Sequence, residues 1–447
     1  MAQTHLAAQA LLKRKYGPGI HDQLSNEAIP FGMFKKVGKE RWGGSAFFHS
    51  LRTGRNRNMR PGGEQTALPA SGRQTYANSQ VACRIYHGTG GFTAFGAAAT
   101  EMSDAAFGEM VKTEVDGLIS DSRKDLNIDT YGTPLGVLGR IAAGGIAGAV
   151  ATLEQLDNVV AWRTFGNRYF SPNQNVDIVD ELTGLVNDTD TVLSVSAVNR
   201  TDITQGNAIA GAAAAGDLYV RTGTQGAQGV AAAPAFRALD GLEFMIDDDT
   251  TTAAAGNAMG LDLSVLHAIN RTTAGNEYFR GNVLNLAGAA LTETDIQNLV
   301  YRIEERSGLY PDVFLTHRSV QFAIQQLMVG DRRFVPQEFP GGFKAESLVY
   351  NAGDRDIPIV VDRECPYRRL YALNLDAIHC YMLRDVELIE EDGSVLRQDA
   401  TGGDEWDFSW RAFFNIGTTQ PNALGKMVRI GGADEAFGIG AARVYDF

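Results

Sequence analysis

The sequence predicts an α+β chain built from one long helix, a β-rich layer and a mixed α/β domain, with extended segments towards the N-terminal side. Three observations lead there: a helical apolar period over residues 103–126, β-type runs separated by turn residues over 165–250, and alternation of helix and strand patterns over 261–383. At 447 residues the chain has room for about three ordinary domains. Its 44% hydrophobic and 21% charged content is that of a folded globular protein.

Residues 1–30 begin with a short apolar helical pattern (Leu6, Ala10, Leu11) that Gly17, Pro18 and Gly19 break, which reads as an arm. Residues 38–96 are rich in glycine, contain Pro61 and Pro69, and interleave polar runs with Phe47, Phe48, Tyr76, Val81, Ile85 and Tyr86. A loop or extended hairpin of that length suits a segment that reaches onto a neighbour. From Ser103 to Leu126 the side chains Phe107, Met110, Val111, Val115, Leu118 and Ile119 share one face of a helix about 35 Å long. Ser103 suits its N-cap, and Asp104 its positive dipole end. Its other face is acidic, because eight carboxylates and three basic residues lie between Glu101 and Asp129.

Beyond it, VDIVDELTGLV, DTVLSVSAVN and DLYVRTG read as strands, with GAAAAG and VAAAPA as surface connections. Thr292 and Asp295 form a capping-box pattern that opens a helix with Ile296, Leu299, Val300 and Ile303 inward and Gly308 past its end. The strand VFLTH follows, then a helix facing inward through Val320, Ile324, Leu327 and Met328, then the strands IPIVV and LYALNLDAIHCYML. The tail EWDFSWRAFFNIG reads as an edge-forming return strand with Trp406, Phe408 and Trp410 packed on one face. It leads through Pro421 to KMVRI.

Charge is unevenly spread. Residues 35–84 hold Lys35, Lys36, Lys39, Arg41, Arg52, Arg55, Arg57, Arg60, Arg73 and Arg84 against Glu40 and Glu64, a balance of +8, so the remainder of a chain of net −13 carries −21. A basic segment on an acidic body is attracted either to nucleic acid or to another copy of that body.

Patterns for known chemistry fail. Around Gly425 and Lys426 a P-loop would need glycine where Gln420 stands and Ser or Thr where Met427 stands. The seven histidines never bracket a glutamate at helical zinc-site spacing, and Cys83, Cys365 and Cys380 are too few and too scattered for a disulfide framework or a four-ligand zinc site. Asp247, Asp248 and Asp249 lack EF-hand spacing and read as a solvated acidic turn. His379 and Cys380 are strand neighbours that point to opposite faces, one to the core and one outward. No run approaches the roughly 20 apolar residues of a membrane span, and the N-terminal residues lack a signal peptide's apolar core, so the chain reads as neither secreted nor membrane-bound.

The order of arm, basic glycine-rich loop, acidic helix, β layer, α/β domain and returning β tail resembles the major capsid protein family of tailed bacteriophages. LTETDIQNLVYRIEERSGLYPDVFLTHRS and IPIVVDRECPYRRLYALNLDAIHCYML look like that family's axial-domain segments, and DLYVRTG followed by ALDGLEFMI looks like a further recurrent stretch. The resemblance implies an N-terminal arm over 1–37, an extended loop over 38–96, a spine helix and peripheral domain with a β-rich insert over 97–260, an axial domain over 261–383, and return strands over 384–447. It implies a structural subunit with no catalytic residue, cofactor or metal. Copies would assemble in the host cytoplasm as hexamers and pentamers of an icosahedral or prolate virion shell around double-stranded DNA, with a separate scaffolding protein, a portal, and in some shells a decoration protein.

On that basis the expected intersubunit contacts join Arg52, Arg55, Arg57 and Arg60, with Phe47 and Phe48 adding burial, to Glu109, Glu114, Asp116 and Asp121 of the adjacent spine helix. Some relatives cross-link covalently through a loop lysine, yet no lysine occurs from Arg41 through Val111. Two alternatives stay open: an encapsulin-like nanocompartment shell, and a nucleic-acid-binding protein using Arg52 to Arg60, whose acidic remainder would repel phosphate.

Overall fold

The computed structural model describes residues 29–37, 42–44, 46–54, 56, 58–59, 61, 71–93, 104–154, 166–180, 185–197, 201–209, 213–223, 237–248, 265–329, 348–351, 355–390, 397–398 and 405–431, with the backbone alone at 42–43, 92, 104–113, 328–329, 348–349, 351 and 398. A short helix α1 (Ile29–Met33) and strand β1 (Lys35–Val37) precede β2 (Trp42–Gly43), β3 (Ala46–Gly54), β4 (Thr75–Ala82) and β5 (Arg84–Thr93). The long helix α2 (Asp104–Thr130) comes next. After it run β6 (Val137–Ala147), β7 (Val150–Leu153), β8 (Asn175–Val179), β9 (Val186–Val195), β10 (Asp202–Gln205) and β11 (Leu218–Arg221). Then come the one-turn helix α3 (Leu242–Met245), β12 (Val265–Leu266), β13 (Ile269–Asn270), β14 (Asn282–Asn285), helix α4 (Glu293–Ser307) and β15 (Val313–Thr316). Helix α5 (Arg318–Val329), β16 (Leu348–Asn351), β17 (Asp356–Val361), β18 (Leu370–Leu373), β19 (Ile378–Leu388), β20 (Arg397–Gln398), β21 (Glu405–Thr418) and β22 (Gly425–Val428) complete the described chain.

Helix α2 runs four residues past the expected end, which makes it about 40 Å long at 1.5 Å per residue. Its extra turn is held from all sides, because Asn127, Ile128, Asp129 and Thr130 are buried. Tyr131 and Asn127 both donate to the Asp362 carboxylate, at 2.8 and 3.0 Å, which ties the helix end to the residue following β17.

The tail is not an edge. Strand β21 pairs with β19 on one side and with β5 along the other, from Glu405 opposite Thr93 to Phe414 opposite Arg84. The last third of the expected loop therefore belongs to the body of the subunit. Glycine makes this possible: a Cβ on Gly88 would lie 2.1 Å from Trp410 Nε1, and one on Gly90 would lie 2.7 Å from the Phe408 ring. The bare backbone of β5 lets the aromatic strand lie across it. Phe408 and Trp410 are buried there as a packed sheet face, and Trp406 is half-buried.

The β layer begins earlier than its alternation suggests. Strands β6 and β7 close with β8 to β11 into a barrel, in the order β10, β7, β6, β11, β8, β9, around Leu138, Ile141, Ile178, Val192, Ile203 and Tyr219. Strands β14, β22, β18, β15, β17 and β16 form the mixed sheet of the α/β region. One face, with Phe314, Leu370, Ala372 and Met427, lies in one core with Ile296, Leu299, Val300 and Ile303 of α4 and Val320 and Ile324 of α5. The other face, with Val313, Leu315, Tyr371 and Leu373, joins the large central core. The capping box of α4 is present as expected, and Gly308 adopts φ 71° at its end. Leu327 of α5, expected inward, is 39% exposed instead.

Asp247 and Asp248 are buried, which overturns the reading of a solvated acidic turn. They adjoin an ionic knot: Glu243 pairs with Arg369, accepts from Lys426 Nζ at 3.3 Å and from Tyr371 Oη at 3.2 Å, and Lys426 lies 3.9 Å from Asp247. Arg271 Nη1 and Nη2 donate to the Asp247 and Phe244 carbonyls at 2.8 and 2.6 Å. The knot ties α3 to β18 and β22, so it fixes the α/β region to the segment that follows the barrel.

Candidate assembly interface

Strands β3 and β4 pair from Ala46 opposite Ala82 to Gly54 opposite Thr75, with a register shift between Arg52 and Gly54. Alternation gives this ribbon two faces. The inner one is anchored: Phe47, 1% exposed, packs at 4.3 Å against the Tyr381 ring, with Val81 beside them. The backbone N–H of Gln80 adds a 2.8 Å bond to the His267 carbonyl. Phe47 is thus an anchor within its own subunit, and the expectation that it meets a neighbour is corrected by its place one residue before Phe48 in a strand.

The outer face carries Phe48, Ser50 and Arg52 opposite Gln80, Asn78 and Tyr76, all exposed, with Phe48 and Tyr76 at 53% and 63%. Arg55, Arg57 and Arg60 lie outside the described residues. Between the last two stands Met59, 96% exposed. The chain around it is braced, because Asn56 Nδ2 donates to the Gly72 carbonyl at 3.1 Å and Asn56 Oδ1 accepts from the Asn58 N–H at 3.1 Å. Met59 went unread in the sequence; an apolar residue inside a run of arginines was the signal available.

Along α2, Glu114, Asp116 and Asp121 are exposed, while the side chain of Glu109 lies outside the described set. Asp125 and Asp129 are not part of that free acidic face: Arg221 Nη2 bonds Asp125 at 3.0 Å and its Nη1 bonds Asp129 at 2.7 Å. Tyr86 Oη also donates to Asp129, at 2.9 Å. Arg84 is withdrawn from the basic segment in the same way, 2.8 Å from the buried Asp240. Burial pushes the His267 imidazole down to about 4, even with Asp240 3.6 Å away. It is neutral near pH 7, so the ring beneath the ribbon's base carries no charge of its own.

Between α2, β5, β19 and β21 lies a cleft of ≈ 470 Å³. Its apolar lining includes Phe31, Ile85, Leu126, Met382, Trp410 and Phe414, and its polar lining includes Ser122, Asp129 and Arg221. Ile85 is 57% exposed. Of the expected contact residues, the structure gathers Phe48 and Arg52 on one ribbon face and Glu114, Asp116 and Asp121 along one helix. Within a single subunit these are two separate, oppositely charged surfaces.

Residues 221–393 match the family model described as SU10 major capsid protein. Among solved structures, the chain is similar to the Cyanophage A-1(L) capsid asymmetric unit at 13% identity and a TM-score of 0.50, over 90% of this chain and 93% of that one. It is similar to the capsid of a native GTA particle at 7% identity and a TM-score of 0.46, over 91% of each chain. The similarity to the SrpI encapsulin of Synechococcus elongatus PCC 7942 is partial, at 15% identity and a TM-score of 0.26, over 38% of this chain and 59% of that one. No match is found among curated protein sequences. The cyanophage likeness gives the fold, the α+β fold of phage capsid proteins.

Proposed function

We propose that this chain is a major capsid protein of the tailed-phage kind, a structural shell subunit whose copies tile hexamers and pentamers by laying the β3–β4 ribbon of one subunit along helix α2 of the next. The observation that carries this reading is the pair of surfaces above: an outward ribbon face with Phe48, Arg52 and Tyr76, and an outward helix face with Glu114, Asp116 and Asp121. A contact between different patches on identical copies generates rings, which is what a capsomer requires. In the sequence, Arg55, Arg57 and Arg60 add to the positive charge of the one segment, and Glu109 adds to the negative charge of the other. The assembled product is a virion shell formed in the host cytoplasm around double-stranded DNA, with scaffolding and portal proteins as separate partners.

Exposed ion pairs contribute only about 0–1 kcal/mol each, so the effect comes from many pairs repeated over a shell. Arg52→Glu should lower the yield of assembled shells, and adding Glu114→Arg to it should restore part of that yield. Raising salt from about 0.1 M to about 1 M, which shortens the Debye length from about 10 to about 3 Å, should loosen wild-type shells in the same direction. Light scattering and electron microscopy of the chain produced with its scaffolding partner give the readout. Shells indifferent to Arg52→Glu would refute the ribbon-on-helix contact, and material that forms no particle even with that partner would refute the shell reading itself.

A second expectation concerns chemistry. An amide cross-link needs an unprotonated lysine near the far end of the ribbon, and Lys35 and Lys36 stand instead in β1, paired in parallel with β19. Arginine stays protonated and forms ion pairs. Mature particles boiled in detergent with reductant should run as one band near 48.2 kDa. A ladder of covalent multimers is the contrary outcome.

A further inference from the structure

Resting on the shell reading above, we infer that Met59 of one subunit is a knob that seats in the cleft between α2, β5, β19 and β21 of the adjacent subunit. Three observations point there. Met59 is 96% exposed on a braced turn of chain, the most exposed of the large apolar side chains among the described residues. The cleft has a floor of Phe31, Leu126, Met382, Trp410 and Phe414, with Ile85 at 57% exposure.

The third observation is reach. Arg52 and Met59 are seven residues apart, at most about 23 Å of extended chain, and Glu114 and Leu126 are twelve helical residues apart, about 18 Å. A ribbon that sets Arg52 beside Glu114 of its neighbour can therefore bring Met59 to the cleft at Leu126. Arg52 beside Glu114 orients the ribbon, and the apolar knob then fixes it. Methionine suits this place: unbranched and polarizable, it fills irregular gaps and contacts aromatic rings at their edges. One residue can then keep the contact where hexamers and pentamers present it at slightly different angles.

Paired cysteines test the juxtaposition directly. Met59→Cys with Ser122→Cys, Ser122 being a half-buried residue of the cleft lining, should give disulfide-linked multimers in assembled particles under oxidising conditions. Neither single variant nor the wild-type chain, with its free Cys83, Cys365 and Cys380, should do so. Met59→Glu should reduce shell yield by about tenfold or more, since an apolar side chain's burial is lost, while Met59→Leu stays within about twofold. The exposed site leaves subunit folding intact, which circular dichroism checks. Double-cysteine particles that assemble but show no linked multimers, or Met59→Glu shells formed at wild-type yield, would overturn the knob and leave the shell reading standing. Failure of the wild-type chain to form any particle even with its scaffolding partner would overturn both.

Discussion

Glu243→Ala should cost about 3–5 kcal/mol of subunit stability, because it strands two buried cations in a dry interior. Glu243, Arg369 and Lys426 are all essentially inaccessible, and the carboxylate faces both cations along with the Tyr371 hydroxyl. Coulomb attraction at such sites does little more than offset desolvation, so the knot adds little net stability while each partner depends on the others. The double variant Glu243→Met with Arg369→Met should accordingly be less damaging than either single change, a coupling that chemical denaturation of the subunit can measure. Burial works against ionisation of Glu243, yet Arg369 and Lys426 outweigh it and hold its carboxyl below the usual range. The sign follows: its contribution is complete above the ordinary carboxylate pKa of 4.5 and is lost as pH falls through the lowered value. A Glu243→Ala shift under about 1 kcal/mol would mean that the knot does not hold α3 to the sheet.

Phe47→Ala should release the ribbon. Large-to-small changes of a buried phenylalanine cost about 3–5 kcal/mol, and here the loss falls on a cluster of only Phe47, Val81 and Tyr381, with Val37 beside it. An isolated two-stranded hairpin is marginal in water, so the ribbon depends on this base for its orientation. Hydrogen exchange should therefore quicken over 46–54 and 75–82, with α4 and β15 keeping their protection. Shell yield should fall as well, because the outer face with Phe48 and Arg52 is aimed by the inner one. Exchange that quickens uniformly through the chain would show that Phe47 supports the whole subunit and not the ribbon.

What the sequence made legible depended on how local the signal was. Thr292, Asp295 and Gly308 delimit α4 through contacts within a few residues, and they were readable. The centrality of β21 was not, because its second partner, β5, lies more than 300 positions away and looks like loop until its glycines are set against Trp410 and Phe408. Asp247 was misread for the same reason: Lys426, which lies 3.9 Å from it, is far along the chain. For the interface, composition identified the basic segment and the acidic helix. It could not separate Phe47 from Phe48, since strand phase decides which of two adjacent aromatics faces inward. Arg84, Asp125 and Asp129 counted as free charge in the sequence and are already paired in the fold.

The closed barrel of β6 to β11 bears on how reliably many copies assemble. Every shell subunit is made at high local concentration beside identical copies, and an open sheet edge of that size would offer backbone donors and acceptors to the first passing chain. Closure removes that competing association, since each of the six strands finds two partners within its own subunit. The geometry of the lattice is then set by surfaces that recognise side chains and charge, and mispairing through backbone alone has no foothold there.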